Sequence, residues 1–268
     1  VVKTKLDRLK QNWFVISQLV DRDHKRNLSS TYMGELWEII NPLINMIVMV
    51  LVFGKMLDGN AFDRFPLYVL SGTLFHGLFT SGTTMCLDAL IENKFFLINT
   101  KINKNIYILE KIVSSFRNFM FSMMIYIFVI ALYRIQPSMT WILFVIDVVL
   151  LFFMMLGIGK VLAIINISLA DIKYFYKIFT LMLMYGSAIF YRVDRLSPIM
   201  QKIMMVNPVY IVITIARNCV MDNIYPSWKL WLILSVRARP GFPVGRRRTR
   251  SFAHEPNRHK ISVRFPWR

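Results

Sequence analysis

Apolar residues in this chain gather in long runs instead of alternating with polar ones. Residues 1–35 are the exception. Lys3, Lys5, Arg8 and Lys10 precede Trp13, Phe14, Ile16 and Leu19, and Asp21, Arg22, Asp23, Lys25 and Arg26 follow. Apolar positions flanked by basic ones suit a helix lying in the headgroup zone of a bilayer, although a solvated basic terminus has the same composition. From Leu43 to Phe53 the chain is apolar except for Asn45, so 36–57 reads as a first span, with Pro42 near its start where a missing N–H costs least. Further spans are predicted at 66–87, 112–133, 141–165 and 175–191, runs that approach or exceed the ~18–20 residues that cross a bilayer. A sixth opens at Trp228 and breaks off at Val236, because Arg237, Arg239 and Pro240 follow at once. That run makes ~13.5 Å of helix, under half of a ~30 Å hydrocarbon core.

Two of the intervening stretches carry structure of their own. Residues 198–206 and 209–221, divided by Asn207-Pro208, read as short helices, neither long enough to span comfortably. A re-entrant or interfacial pair of this kind is stable only where protein or water satisfies its backbone. Residues 88–111 read as a polar loop in which Lys94, Lys101, Lys104 and Lys111 face Asp88, Glu92 and Glu110. Inside it lie Phe95, Phe96, Leu97 and Ile98, an apolar patch that is costly to leave in water and that calls for a docking surface, either the membrane or a partner protein.

The 66–87 run is the least apolar of the spans. Thr73, Gly77, Thr80 and Thr84 fall on one helical stripe, and His76 stands beside it. Small residues at this spacing pack helices closely; the same stripe also suits the lining of a polar pathway, with Thr73, His76 and Thr80 as its candidate groups. Asp147, alone in the 141–165 span, is expected to face protein or water, because a carboxylate facing lipid costs ~2.5–3.5 kcal/mol.

Composition agrees with the runs. The chain is 56% hydrophobic with mean hydropathy +0.47, above the ~45–50% of soluble domains. The fold class is an all-α integral membrane protein with three parts: an interface segment 1–35, a transmembrane domain 36–236 and a basic tail 237–268. The net charge of +18 is shared equally between residues 1–236 and the tail. The tail exchanges Lys for Arg and gains Pro and Gly just where the sixth span stops. This is expected of a shifted reading frame, while a disordered basic tail on anionic lipid is the alternative. Basic residues concentrate in 1–35 and 88–111, which places the N-terminus in the cytoplasm.

Candidate chemistry is sparse. The segment 155–161 contains Gly-x-Gly-Lys but lacks the first glycine and the Ser/Thr of a phosphate-cradling loop. Asp21-Arg22-Asp23 matches a DxD metal motif no better than chance. His24, His76, His254 and His259 form no ligand set, and Cys86 and Cys219 read as small buried hydrophobes. A basic face with aromatic platforms on a soluble fold is missing, which argues against nucleic acid.

The stretch 19–54 resembles the transmembrane subunits of ABC-2 type exporters, in the branch serving polysaccharides and polyol phosphates such as O-antigen and teichoic acid. Arg22, Asp23, Lys25, Ser30, Gly34, Leu36, Trp37, Asn41, Pro42, Leu43 and Phe53 carry the likeness. The run 66–72, Asn93 with Leu97-Ile98, Asp171, and Asn207-Pro208 with Arg217 extend it. Ala170 stands where the family has an arginine before the aspartate, and the sixth span is cut short. The resemblance implies a six-span fold and a multi-pass subunit of the bacterial inner (plasma) membrane. It further implies two copies forming a channel, a separate ABC ATPase that uses ATP and Mg, and no cofactor or catalysis in this chain. It assigns ATPase coupling to Glu92, Asn93, Lys94, Phe95, Phe96, Leu97 and Asp171. It assigns an interface hinge to Arg22, Asp23, Gly34, Trp37 and Pro42, and an exit gate to Asn207, Pro208 and Arg217. The implied cargo is a lipid-linked glycan or polyol phosphate. The alternatives are a drug or lipid exporter of the same type, or a membrane-embedded glycan polymerase or transferase.

Overall fold

A computed structural model describes residues 2–28, 34, 36–56, 64–99, 103–193 and 196–238. Among them there are only helices, turns and short irregular links. In chain order the helices are α1 (Val2–Leu28), α2 (Leu36–Met56), α3 (Phe65–Glu92), α4 (Lys94–Asn99) and α5 (Asn105–Leu132). They continue with α6 (Thr140–Ser168), α7 (Ile172–Tyr185), α8 (Pro198–Met204), α9 (Pro208–Val220) and α10 (Trp228–Arg237). The chain is an all-α membrane protein. By length and composition α5 and α6 are each long and apolar enough to cross a bilayer, and α8 with α9 makes a broken pair bent by 97°.

The central element is α3, which packs on α5, α6, α2 and α9. Its hydroxyls turn back onto its own carbonyls, Thr73 donating to Val69 O at 3.0 Å and Thr83 to Phe79 O at 2.6 Å. These two hydroxyls thereby donate without leaving the helix. Leu67, Leu70, Phe75, Phe79 and Cys86 are buried against Ile108, Ile112, Leu151, Met155 and α9 residues. Close approach of α3 and α6 depends on glycine: a Cβ on Gly159 would stand 2.7 Å from Cys86 Sγ. Asp147 on α6 is fully buried, so it faces protein, and among the described residues neither carboxylate oxygen finds a hydrogen-bond partner.

Three features differ from those read in the sequence. Helix α7 ends at Tyr185 instead of running on to residue 191, because the chain turns at Gly186–Ala188 and Ala188 takes φ 50°. At 14 residues α7 is short for a crossing, about 21 Å against a core of about 30 Å. Residues 88–111 are largely helical: α3 runs on to Glu92, α4 follows, and α5 opens at Asn105. Pro42 lies past the first turn of α2, where the ring removes a helix hydrogen bond. The Asn207-Pro208 break, by contrast, falls between α8 and α9 where the sequence put it. The tail from Arg239 and the segment 57–63 lie outside the described residues.

Candidate functional site

The ends of α3 carry two polar constructions. At its C-terminal end, α1 seats Ile16 and Val20 on Ile106 of α5. Beside this apolar seam, Lys111 of α5 reaches Asp23 of α1 at 2.6 Å and Glu92 of α3 at 2.8 Å. Arg22 bonds Asp23 at 2.9 Å, donates to Asn93 Oδ1 at 3.3 Å, and lies 5.8 Å from the centre of the Phe96 ring. Asn93 donates in turn to Ala89 O at 2.9 Å. Burial raises the Asp23 carboxyl, but hydrogen bonds and charge from Lys111 and Arg22 outweigh it and hold the group below its usual range. An open cleft of about 250 Å³ beside Asp23, Glu92, Lys111 and Arg117 follows this seam.

From that junction α4 projects. Phe95 is 72% exposed, Ile98 63% and Phe96 41%, with the two rings edge to face at 5.8 Å. Leu97 turns inward and packs on the core. The six-residue helix thus carries three exposed apolar side chains and is held at its base by an ion-paired junction. Glu92, Asn93, Lys94, Phe95, Phe96 and Leu97 are thus brought together with Arg22 and Asp23. Asp171 stands apart, exposed at the N-cap position of α7, where its side chain makes no capping hydrogen bond. Its turn is tied to the same end of α3 by the Lys173–Asp88 ion pair and by Asn166 donating to Leu87 O at 2.6 Å. Gly34 takes φ 49° between α1 and α2, and Trp37 lies exposed near the start of α2.

At the other end of α3, Asn207 caps α9. Its Oδ1 accepts from Val209 N at 2.9 Å, while its Nδ2 donates to Ser187 Oγ at 2.9 Å and Leu183 O at 3.2 Å. Pro208 fills the first turn, where its missing N–H is harmless. Arg217, on α9, is 6% exposed and donates to Ser71 Oγ at 3.2 Å, Ala188 O at 2.9 Å and Tyr68 O at 2.9 Å. Its guanidinium carbon lies 3.3 Å from the centre of the Tyr68 ring. Arg217 therefore pins the 186–188 turn and α9 to α3.

The polar stripe of α3 divides between two neighbours. His76 Nε2 lies 3.2 Å from Thr180 O on α7 and 3.4 Å from Thr80 Oγ1, whereas Thr73 lines a groove of about 210 Å³ with Asn41, Pro42 and Asn45 of α2. Sequence reasoning did not single out Lys111, Glu110, Tyr68, Ser71 or Ser187 as site residues. Tyr68 and Ser71 lie within the 66–72 run, and Glu110-Lys111 sits at the edge of an apolar stretch, the place where an anchoring charge is expected. Ser187 gives no such signal.

Comparison with known proteins agrees with this architecture. The family model of the ABC-2 type transporter matches residues 15–221. The chain is 22% identical over 210 residues to the O-antigen export system permease protein RfbA of Klebsiella pneumoniae, covering 77% of this chain and 80% of that one. It is 23% identical over 160 residues to the protein of the same description from Myxococcus xanthus, covering 60% and 61% of the two chains. This chain belongs to the ABC-2 type transporter family, as a membrane-embedded transport subunit.

Proposed function

We propose that this chain is the permease subunit of an ATP-driven exporter that moves a lipid-linked polysaccharide or polyol phosphate across the bacterial inner membrane. Two copies form the passage, and each pairs with a separate ATPase subunit that binds Mg and ATP. The chain itself carries no cofactor. The N-terminus lies on the cytoplasmic side, with α1 along the inner leaflet, and six segments cross the membrane in the assembled protein. Relatives named as O-antigen export permeases support the cargo class.

The observation that carries the reading is α4, a short helix with Phe95, Phe96 and Ile98 turned outward and its base clamped to α1 and α5. In this reading the ATPase grips α4, and the Arg22–Asn93 and Lys111–Glu92 contacts pass its movement to α1 and α5. Around Asn207, Pro208 and Arg217, the bent pair α8–α9 gates the exit. Co-purification of the chain with its candidate ATPase tests the central claim. Phe95→Asp is expected to abolish the complex while the permease still inserts and folds; a complex that survives this change removes α4 from the ATPase contact.

A further inference from the structure

Arg217 is held by a hydroxyl, two backbone carbonyls and the face of a tyrosine ring, and none of these partners carries a negative charge. Among the described residues no carboxylate forms an ion pair with it. A guanidinium keeps its charge, and burying one among neutral acceptors is costly unless something else compensates it. Its three recorded hydrogen bonds also leave donors unspent. In membrane proteins a buried cation of this kind marks a binding site more often than a strut.

The surroundings increase the positive charge. Asp222, which follows α9, lies within electrostatic range of Arg64, Arg192 and Arg217 together. Arg64 is tethered there by donating to Met221 O at 2.8 Å. Asp222 offsets part of this charge, and among the described residues that line the cleft Arg192 and Arg217 outnumber it. At Arg217 a cleft of about 210 Å³ opens between Tyr68 of α3, Arg192, Tyr210, Thr214 and Asn218 of α9, and Asp222, whose carboxylate lines it too. That volume is below the ~300 Å³ at which drug-sized pockets begin, so it takes a headgroup-sized moiety and not a whole chain. Guanidinium forks suit phosphate oxygens, and Asn218 and Tyr210 bring neutral donor groups to the lining.

We infer that the cleft at Arg217 binds a phosphate-bearing group, at the end of α3 opposite α4. The phosphate belongs either to an anionic lipid headgroup or to the linkage between the cargo and its lipid. Only the second source rests on the export reading. A structural staple needs the three bonds of Arg217; it needs neither an open cleft nor a second guanidinium, Arg192, in its lining.

The test measures binding of two probes to the purified full chain in neutral detergent by isothermal titration. Farnesyl diphosphate stands for the isoprenyl-linked cargo, and dihexanoylphosphatidylglycerol for the headgroup. Because Arg217→Ala removes the staple as well as the charge, the reporting variants are Arg192→Gln and Asn218→Asp, which leave its bonds in place. Affinity is expected to fall at least tenfold in one or both variants at unchanged melting temperature, and inorganic diphosphate is expected to compete on the native chain. Binding of farnesyl diphosphate alone assigns the site to the cargo linkage, of phosphatidylglycerol alone to lipid, and of both to a shared phosphate site. No binding of either probe, or binding unchanged in both variants, overturns the inference. The ATPase is not needed for these measurements, so a negative result here leaves the export reading standing, and a lost ATPase complex leaves this one standing.

Discussion

The Lys111 ammonium on α5 lies 2.6 Å from the Asp23 carboxylate on α1, although the two residues are 88 positions apart. Lys111 also holds Glu92, so one cation joins three helices at the base of α4. Both side chains of the Lys111–Asp23 pair are largely buried, at 10% and 15% exposure. Removing one partner of a pair this enclosed leaves the other uncompensated, at a cost of about 3 kcal/mol. Lys111→Met is therefore expected to lower the melting temperature and open α1 to protease. The double variant Lys111→Met with Asp23→Asn is expected to lose less than the sum of the singles, because part of the single cost is the stranded carboxylate. Additive losses would show that the two do not act as a pair.

The same contact fixes a pH dependence. The folded Asp23 carboxyl titrates below its ordinary value of 3.8. A depressed acid contributes stability that is fully present above its unfolded value and lost as pH falls through the folded one. The contribution of the Asp23 contact to α1 attachment is thus expected to stay constant from about pH 5 upward and to weaken only in stronger acid. Protease protection of α1 followed along a pH series measures this; release at mild acidity would place its control in another group.

What could be read in the sequence follows from how local each feature is. The break between α8 and α9 depends on the Asn207 side chain accepting from Val209 N and Tyr210 N and on a proline at the first helical position, all within four residues, and it was legible. The end of α7 depends on Asn207 reaching back to Leu183 and Ser187. No local pattern reports that contact, and hydropathy carried the predicted span on to Tyr191. The 88–111 segment looked like a loop because its charges were counted as solvated. Several are instead paired across helices, Lys111 with Asp23 and Glu92, Asp88 with Lys173, and pairing allows the helices to continue. Arg217 stood out as a motif residue, but its partners Tyr68 and Ser71 are 149 and 146 positions away. Its burial follows from the packing of α9 on α3, which one sequence does not display.

Helix contact makes a further demand at Gly159. Its α-carbon faces Cys86 so closely that an added Cβ would meet Sγ at 2.7 Å and Cβ at 3.0 Å. Gly159→Ala is expected to push α6 from α3 and to cost about 1–3 kcal/mol, the usual range for overpacking. Gly77, where an added Cβ meets nothing within 4 Å, is the control: Gly77→Ala is expected to leave the melting temperature unchanged or raise it slightly, since alanine favours helix. Equal effects at both glycines would remove the close-packing argument.

Asn207 combines two duties that substitution can separate. Its carbonyl oxygen caps α9, and its amide nitrogen ties the cap to Leu183 and Ser187 at the end of α7. Serine retains a capping oxygen but cannot reach back with an amide, so Asn207→Ser is expected to cost about 1 kcal/mol, the worth of a lost hydrogen bond. Asn207→Ala loses the cap as well, which adds about 1 kcal/mol. Melting temperatures should therefore rank native, Ser, Ala. If Ser and Ala fall together, the cap contributes nothing and the tie to α7 carries the whole effect. If Ser matches the native chain, the tie is idle, and the turn at Gly186–Ala188 is held by Arg217 through its bond to Ala188 O.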